Sequence, residues 1–145
     1  MNINPKFAVI GGGSWATAIA KMLCHNLDEI AWYMRSESAI EEIKLNKHNP
    51  NYLSAVEFDI DQLFLTNDIN EAVSYADYII FAVPSAFLGK EMQKLTADIS
   101  NKIIISAIKG IIPETNSIVG EYFMQTYDIP QENIAVIAGP CHAEE

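Results

Sequence analysis

The chain has 145 residues, of which nineteen are acidic and nine basic, a net charge of −10. A field of that sign repels nucleic acid and anionic membrane surfaces, so neither is an expected partner, and any phosphate group must be held by local N–H groups and a few placed cations. Half of the residues are hydrophobic, enough for the core of one domain, yet no apolar run approaches the roughly 18 residues of a membrane span.

In chain order, short apolar runs alternate with helical patterns. Residues 6–10 (KFAVI) read as a buried strand, and the Ala-rich stretch 14–26 as a helix. Residues 29–33 (EIAWY) form a second strand, followed by a helix over 37–45 with Ile40 and Ile43 one turn apart. Residues 47–52, with His, Asn and Pro, read as a loop. A weak strand over 63–65 precedes Asp68 and Glu71, which have capping-box spacing at the start of a short helix. Residues 78–83 (YIIFAV) are the strongest strand, closed by Pro84, with Ser85 placed to cap a helix running to residue 97. Residues 102–106 (KIIIS) are another strand, 117–127 a helix, and 134–138 a last strand. This rhythm predicts an α/β fold of Rossmann type: a doubly wound, mostly parallel sheet with helices on both faces. Ligands of such folds bind at the carboxyl ends of the strands.

The residues after the first strand carry a G-x-G-x-x-A pattern at Gly11, Gly13 and Ala16. Gly11 makes the tight turn, Gly13 lets a pyrophosphate approach the backbone, and Ala16 permits close helix–strand packing. The N–H groups opening the helix then face the phosphates, with the helix dipole favouring negative charge. Ser14 adds a hydroxyl and an N–H there. A lone glycine pattern is weak; one placed directly after a strand and opening a helix is not. At the end of the second strand an NAD-binding domain usually carries an acidic residue for the ribose 2′-OH. Arg35 stands in that region instead, and can hold a 2′-phosphate through paired N–H bonds. NADP is therefore the favoured cofactor, with NAD the other candidate. Lys109 follows the strand over 102–106, where a cation can stabilise negative charge developing on a carbonyl oxygen.

Five stretches taken together raise the reading further: GGGSWATAIA at 11–20, Asn51-Tyr52-Leu53, FAVPSAFL at 81–88, ISAIKGI at 105–111 and AGPCHAEE at 138–145. In order and spacing they resemble the N-terminal half of the bacterial-type NAD(P)-dependent glycerol-3-phosphate dehydrogenase family. The resemblance implies reversible hydride transfer between a nicotinamide and dihydroxyacetone phosphate, giving sn-glycerol 3-phosphate for phospholipid synthesis. It implies that Ser14, Trp15 and Arg35 contact the cofactor and that Lys109 contacts cofactor and substrate. It further implies that Gly139 and Cys141 line the substrate site and that Ala143 touches the cofactor. His142 receives no catalytic role from it. The sequence departs from the family pattern at Ala16, where Gly is frequent, at Ile108, where Thr usually precedes Lys-Gly, and at Cys141, where Ser or Thr is usual. A thiol is the weaker hydrogen-bond donor.

Residues 1–145 are thus expected to form one NAD(P)-binding domain, a fragment of a parent whose helical substrate domain supplies the catalytic residues. The expected ligand is a small phosphorylated molecule, the expected parent a homodimer, and the expected location the cytoplasm. No metal site is expected, and Cys24 and Cys141 lack the spacing of a disulfide framework. Two other readings stand beside this one. One is a non-catalytic NAD(P)-sensing module. The other is a different two-domain dehydrogenase, such as a ketopantoate or imine reductase, against which the stretches around Lys109 and Gly139 argue.

Overall fold

In the computed structural model, residues 4–138 are described. Six strands form one parallel sheet: β1 (Phe7–Ile10), β2 (Ile30–Tyr33), β3 (Leu63–Thr66), β4 (Tyr78–Phe81), β5 (Ile103–Ser106) and β8 (Ile134–Val136). Their spatial order is β3-β2-β1-β4-β5-β8. The chain builds outward from β1 to one side, then returns to β4 and builds to the other. The order therefore reverses between β1 and β4, and this switch point opens a crevice at the strands' carboxyl ends. Helices α1 (Ser14–Cys24), α2 (Glu37–Asn46), α3 (Ile69–Tyr75), α4 (Ser85–Met92) and α5 (Val119–Tyr127) connect the strands.

Side chains alternate between the two faces of each strand. Ile10, Tyr33 and Phe81 pack with Leu88 of α4 and Phe123 of α5 on one face. Val9, Trp32 and Ile80 pack with Ala16 of α1 and Ile40 of α2 on the other. Both faces are covered, which is why the strands read as unbroken apolar runs. The Rossmann-type fold read from the sequence is the fold observed.

Four local expectations need correction. Helix α4 ends at Met92, not residue 97, because Asn70 of α3 takes over the chain beyond it. The Asn70 Oδ1 accepts from the N–H groups of Thr96 and Ala97, at 2.7 and 3.0 Å, and its amide donates to the Lys94 carbonyl. Ser85 does not cap that helix; Pro84 holds the cap position and no side chain supplies a cap bond. Only half of the capping box forms on α3. Asp68 accepts from the Asn70 N–H, but Glu71 turns to the hydroxyl of Thr66. Finally, the start of the predicted helix over 117–127 is extended. Ser117–Ile118 (β7) pairs antiparallel with Ile111–Ile112 (β6) as a small hairpin, and α5 begins after it.

Candidate functional site

The turn after β1 is fixed by sterics. Gly11 has φ +135°, and a Cβ there would stand 2.3 Å from the carbonyl oxygen of Ala82, the residue after β4. Only glycine allows β1 and β4 to meet this closely at the switch point. Gly13, at the cap position of α1, has φ −83° and ψ −172°. A Cβ on it would meet nothing within 4 Å.

The three loop carbonyls are each tied from behind by a buried group. The Trp32 indole Nε1 donates to the Gly11 oxygen at 2.7 Å. The Asn49 amide donates to the Gly12 oxygen at 3.1 Å and to the Thr17 hydroxyl at 2.9 Å. Thr17 in turn donates to the Gly13 oxygen, through its hydroxyl at 2.7 Å and its N–H at 2.9 Å. Trp32, Thr17 and Asn49 are at most 1% exposed, so water does not compete for these bonds. In a trans peptide the following N–H points opposite the carbonyl, and no described peptide bond is cis. Pinning the carbonyls inward therefore turns the N–H groups of Gly12, Gly13 and Ser14 outward. Gly13 has no side chain to cap them and the first turn of α1 holds no acid. The result is a row of unshielded donors at the positive end of a helix, suited to a pyrophosphate.

Beside this loop lies a cavity of about 350 Å³, walled by Gly11–Gly13, by Met34, Arg35 and Ser36 after β2, by Asn51 and Tyr52, and by Ala82–Pro84, Phe87 and Glu91 after β4. Arg35 is exposed, and its guanidinium lies 5.8 Å from the centre of the Phe87 ring. Ser36 caps α2 by accepting from the Ala39 N–H at 3.2 Å, which holds the Arg35 backbone at the cavity rim. One turn further along α4 is Glu91, 4% exposed. It accepts from the Tyr33 hydroxyl and from the Lys94 ammonium. Burial pushes its carboxyl up. The hydrogen bonds from Tyr33 and Lys94, with the charges of Lys94 and Arg35, outweigh that and hold it below the usual carboxylate range.

The residues singled out from sequence are thus only partly brought together. Gly11, Gly13 and Arg35 line one cavity. Ser14 and Trp15 open α1 beside it, both exposed, Trp15 by 47%. Lys109 is exposed at the carboxyl end of β5, outside the cavity walls. It is followed by Gly110 at φ +91°, whose missing Cβ would lie 3.5 Å from the Ser85 hydroxyl. The Lys109 loop therefore packs against the turn after β4. Gly139, Cys141 and Ala143 lie outside the described residues. Cys24 is a half-buried free thiol whose pKa burial pushes up, which suits an inert packing role.

Sequence reasoning missed Asn49, Trp32 and Glu91. Asn49 sits in a stretch whose composition says loop and no more. Trp32 reads as one more apolar strand residue. Glu91 reads as a solvated helix position. The only available signal was for Trp32 and Asn49, since a buried indole or amide must find a partner.

The comparisons agree with this geometry. A family model described as the N-terminus of NAD-dependent glycerol-3-phosphate dehydrogenase matches residues 6–145. A glycerol-3-phosphate dehydrogenase [NAD(P)+] from Tropheryma whipplei is 40% identical over 137 residues, covering 93% of this chain and 39% of that protein. One from Lysinibacillus sphaericus is 34% identical over 143 residues, covering 97% and 42%. A solved glycerol-3-phosphate dehydrogenase of Plasmodium falciparum superposes with a TM-score of 0.80 at 25% identity, over 94% of this chain and 41% of that one. The chain thus spans about two fifths of the length of the relatives it matches. A match over nearly the whole chain, on a switch-point crevice with its glycine loop, places the chain in the family of NAD-dependent glycerol-3-phosphate dehydrogenases, as an N-terminal domain of that family.

Proposed function

We propose that residues 1–145 are the cofactor-binding domain of an oxidoreductase that moves a hydride between NAD(P)H and dihydroxyacetone phosphate, giving sn-glycerol 3-phosphate for phospholipid synthesis in the cytoplasm. The observation that carries the reading is the glycine loop, with its three carbonyls pinned inward and open space at Gly13. That cradle fits a dinucleotide pyrophosphate. The nicotinamide, once bound, supplies the hydride. The chain's residues do the rest of the holding. The N–H groups of Gly12, Gly13 and Ser14 take the phosphates, and Arg35 takes the 2′-phosphate of NADP. Trp15 and Ala143 flank the cofactor. Lys109 stands where substrate and nicotinamide meet, and Gly139 and Cys141 line the substrate side. The relatives' additional length supplies the acid and the phosphate anchor for the substrate, in a helical second domain, and the parent assembles as a homodimer.

The test is a titration of the chain with NADPH and NADH, followed by calorimetry. Saturable binding of either supports the reading. A folded chain that binds neither overturns it.

A further inference from the structure

Glu91 gives the cavity a carboxylate that the glycine loop and Arg35 do not account for. Its side chain is 5% exposed, yet it forms part of the cavity wall with Arg35 and Phe87. One oxygen, Oε2, is taken: it accepts from the Tyr33 hydroxyl and, at 2.9 Å, from Lys94 Nζ. The other, Oε1, accepts no hydrogen bond from any described residue. No fully buried side-chain oxygen or nitrogen among those residues is left without a partner, so Oε1 keeps some accessible surface, on a residue that lines the cavity. Arg35 acts on this carboxylate through its charge and makes no ion pair with it. It leans over the Phe87 ring instead. The wall therefore presents one acceptor oxygen, held in place from behind by two donors, beside a flat aromatic face.

The position of this oxygen within the cavity names its partner. The glycine loop fixes the pyrophosphate end, and Arg35 at the end of β2 marks the adenosine ribose. The base lies beyond the ribose from the phosphates, and Arg35, which marks the ribose, lies against Phe87 of α4. A carboxylate accepts and cannot donate. Adenine has one hydrogen-bond donor group, its exocyclic 6-amino group. We propose that Glu91 is a base-specificity residue, whose Oε1 accepts from the 6-amino group of the cofactor's adenine and selects against 6-oxo purines. This rests on the dinucleotide reading above.

The test compares NADH with its hypoxanthine counterpart, in which a carbonyl replaces the 6-amino group and the neighbouring N1 carries a hydrogen, so that the donor is displaced from the position facing Oε1. Both are titrated calorimetrically into the full chain. A hydrogen bond to a charged acceptor sets the expectation that the adenine form binds about ten- to a hundredfold tighter. The Glu91→Gln variant sharpens the test. Tyr33 and Lys94 both donate, so they hold the amide oxygen on their side and the NH₂ faces the cavity. That group suits a 6-oxo base and opposes a 6-amino one, so the preference inverts. A merely structural role for Glu91 weakens both ligands together and inverts nothing. Equal affinity of the unaltered chain for both dinucleotides overturns the inference and leaves the cofactor reading standing. That outcome also follows if Oε1 bonds the ribose hydroxyl instead. Binding of neither dinucleotide overturns the cofactor reading, and this inference with it. If the Gln variant does not fold, the ratio measured on the unaltered chain decides.

Discussion

At Gly11 the backbone sits where L side chains are strained, with the Ala82 oxygen in the way, whereas at Gly13 the backbone is ordinary and the space is open. The two glycines therefore fail differently. Gly11→Ala should lower stability by at least about 2 kcal/mol. Gly13→Val should cost about 1 kcal/mol, the usual loss of a good cap residue, and still abolish NADPH binding by filling the pyrophosphate path. Denaturant melts and calorimetry on the same samples check this; a Val variant that binds with parental affinity places the phosphates elsewhere. Arg35 sets cofactor choice in the same cavity. A charge-assisted bond to a 2′-phosphate contributes roughly 1.5–3 kcal/mol, so NADPH should bind at least about tenfold tighter than NADH, and Arg35→Asp should erase or reverse that. Equal affinities in the unaltered chain would show that Arg35 does not reach the 2′ position. Glu91 carries a pH signature. Its folded pKa is depressed, so its ionised form contributes stability at neutral pH. That contribution fades as pH falls below the ordinary carboxylate value, about 4.3, and on through the lower folded value. Glu91→Gln has no such group to protonate, so its urea midpoint should fall less steeply than the parent's below about pH 4.5. Parallel slopes would mean that the Glu91 carboxyl titrates alike in the folded and the unfolded chain, so that its ionised form adds no stability.

Among the elements, the loop between β1 and α1 depends on the segment after α2. Asn49 reaches across from that segment to hold the Gly12 carbonyl and the Thr17 hydroxyl. Asn49→Ala removes a buried donor and leaves an acceptor unsatisfied, a cost of roughly 1–3 kcal/mol. It should also weaken NADPH binding, because the Gly12 carbonyl is then free to rotate and the N–H row loses its alignment. Thermal melts and titration measure both effects; loss of stability with unchanged affinity would show that the loop holds its shape without Asn49. This dependence marks the boundary of what the sequence can tell. YIIF and IIIS announce β4 and β5, since a strand covered on both faces is apolar throughout. Gly11 and Gly13 announce the crevice, because the first answers a steric requirement of the turn and the second leaves open space beside it. The end of α4 is not announced, since the chain beyond it is held by the Asn70 side chain, twenty-six residues before Thr96. The β6–β7 hairpin has two residues in each strand, too few for any period to show. Asn49 and Glu91 are polar residues at positions that read as surface, yet the fold buries both.

At the scale of the whole molecule, binding and chemistry come apart. The contacts proposed for adenine, ribose and pyrophosphate all come from residues of one crevice: Gly12, Gly13, Ser14, Arg35 and Glu91. Reduction of a carbonyl asks for three further things. A proton must reach the carbonyl oxygen as the hydride arrives, from a group within roughly 2.6–3.2 Å. The substrate phosphate needs its own cation, and the nicotinamide face must be closed to water. Among the described residues, Lys109 is the one cation that the proposed function assigns to the substrate side, and it is exposed. A single ammonium at one strand end cannot both face the carbonyl and clamp a phosphate several bonds away. The net charge of −10 gives no help in drawing in a phosphorylated substrate. Relatives more than twice as long have room for the missing groups. These 145 residues, expressed by themselves, should therefore bind NADPH and turn over dihydroxyacetone phosphate poorly or not at all. Absence of a positioned acid alone costs about 10²–10⁴ in rate, and absence of substrate positioning multiplies that loss. The assay follows NADPH absorbance at high protein concentration with dihydroxyacetone phosphate, after binding has been verified by titration. Turnover at the rate of an ordinary dehydrogenase would show that Lys109 and its neighbours form a complete catalytic site and would overturn the proposed division of labour.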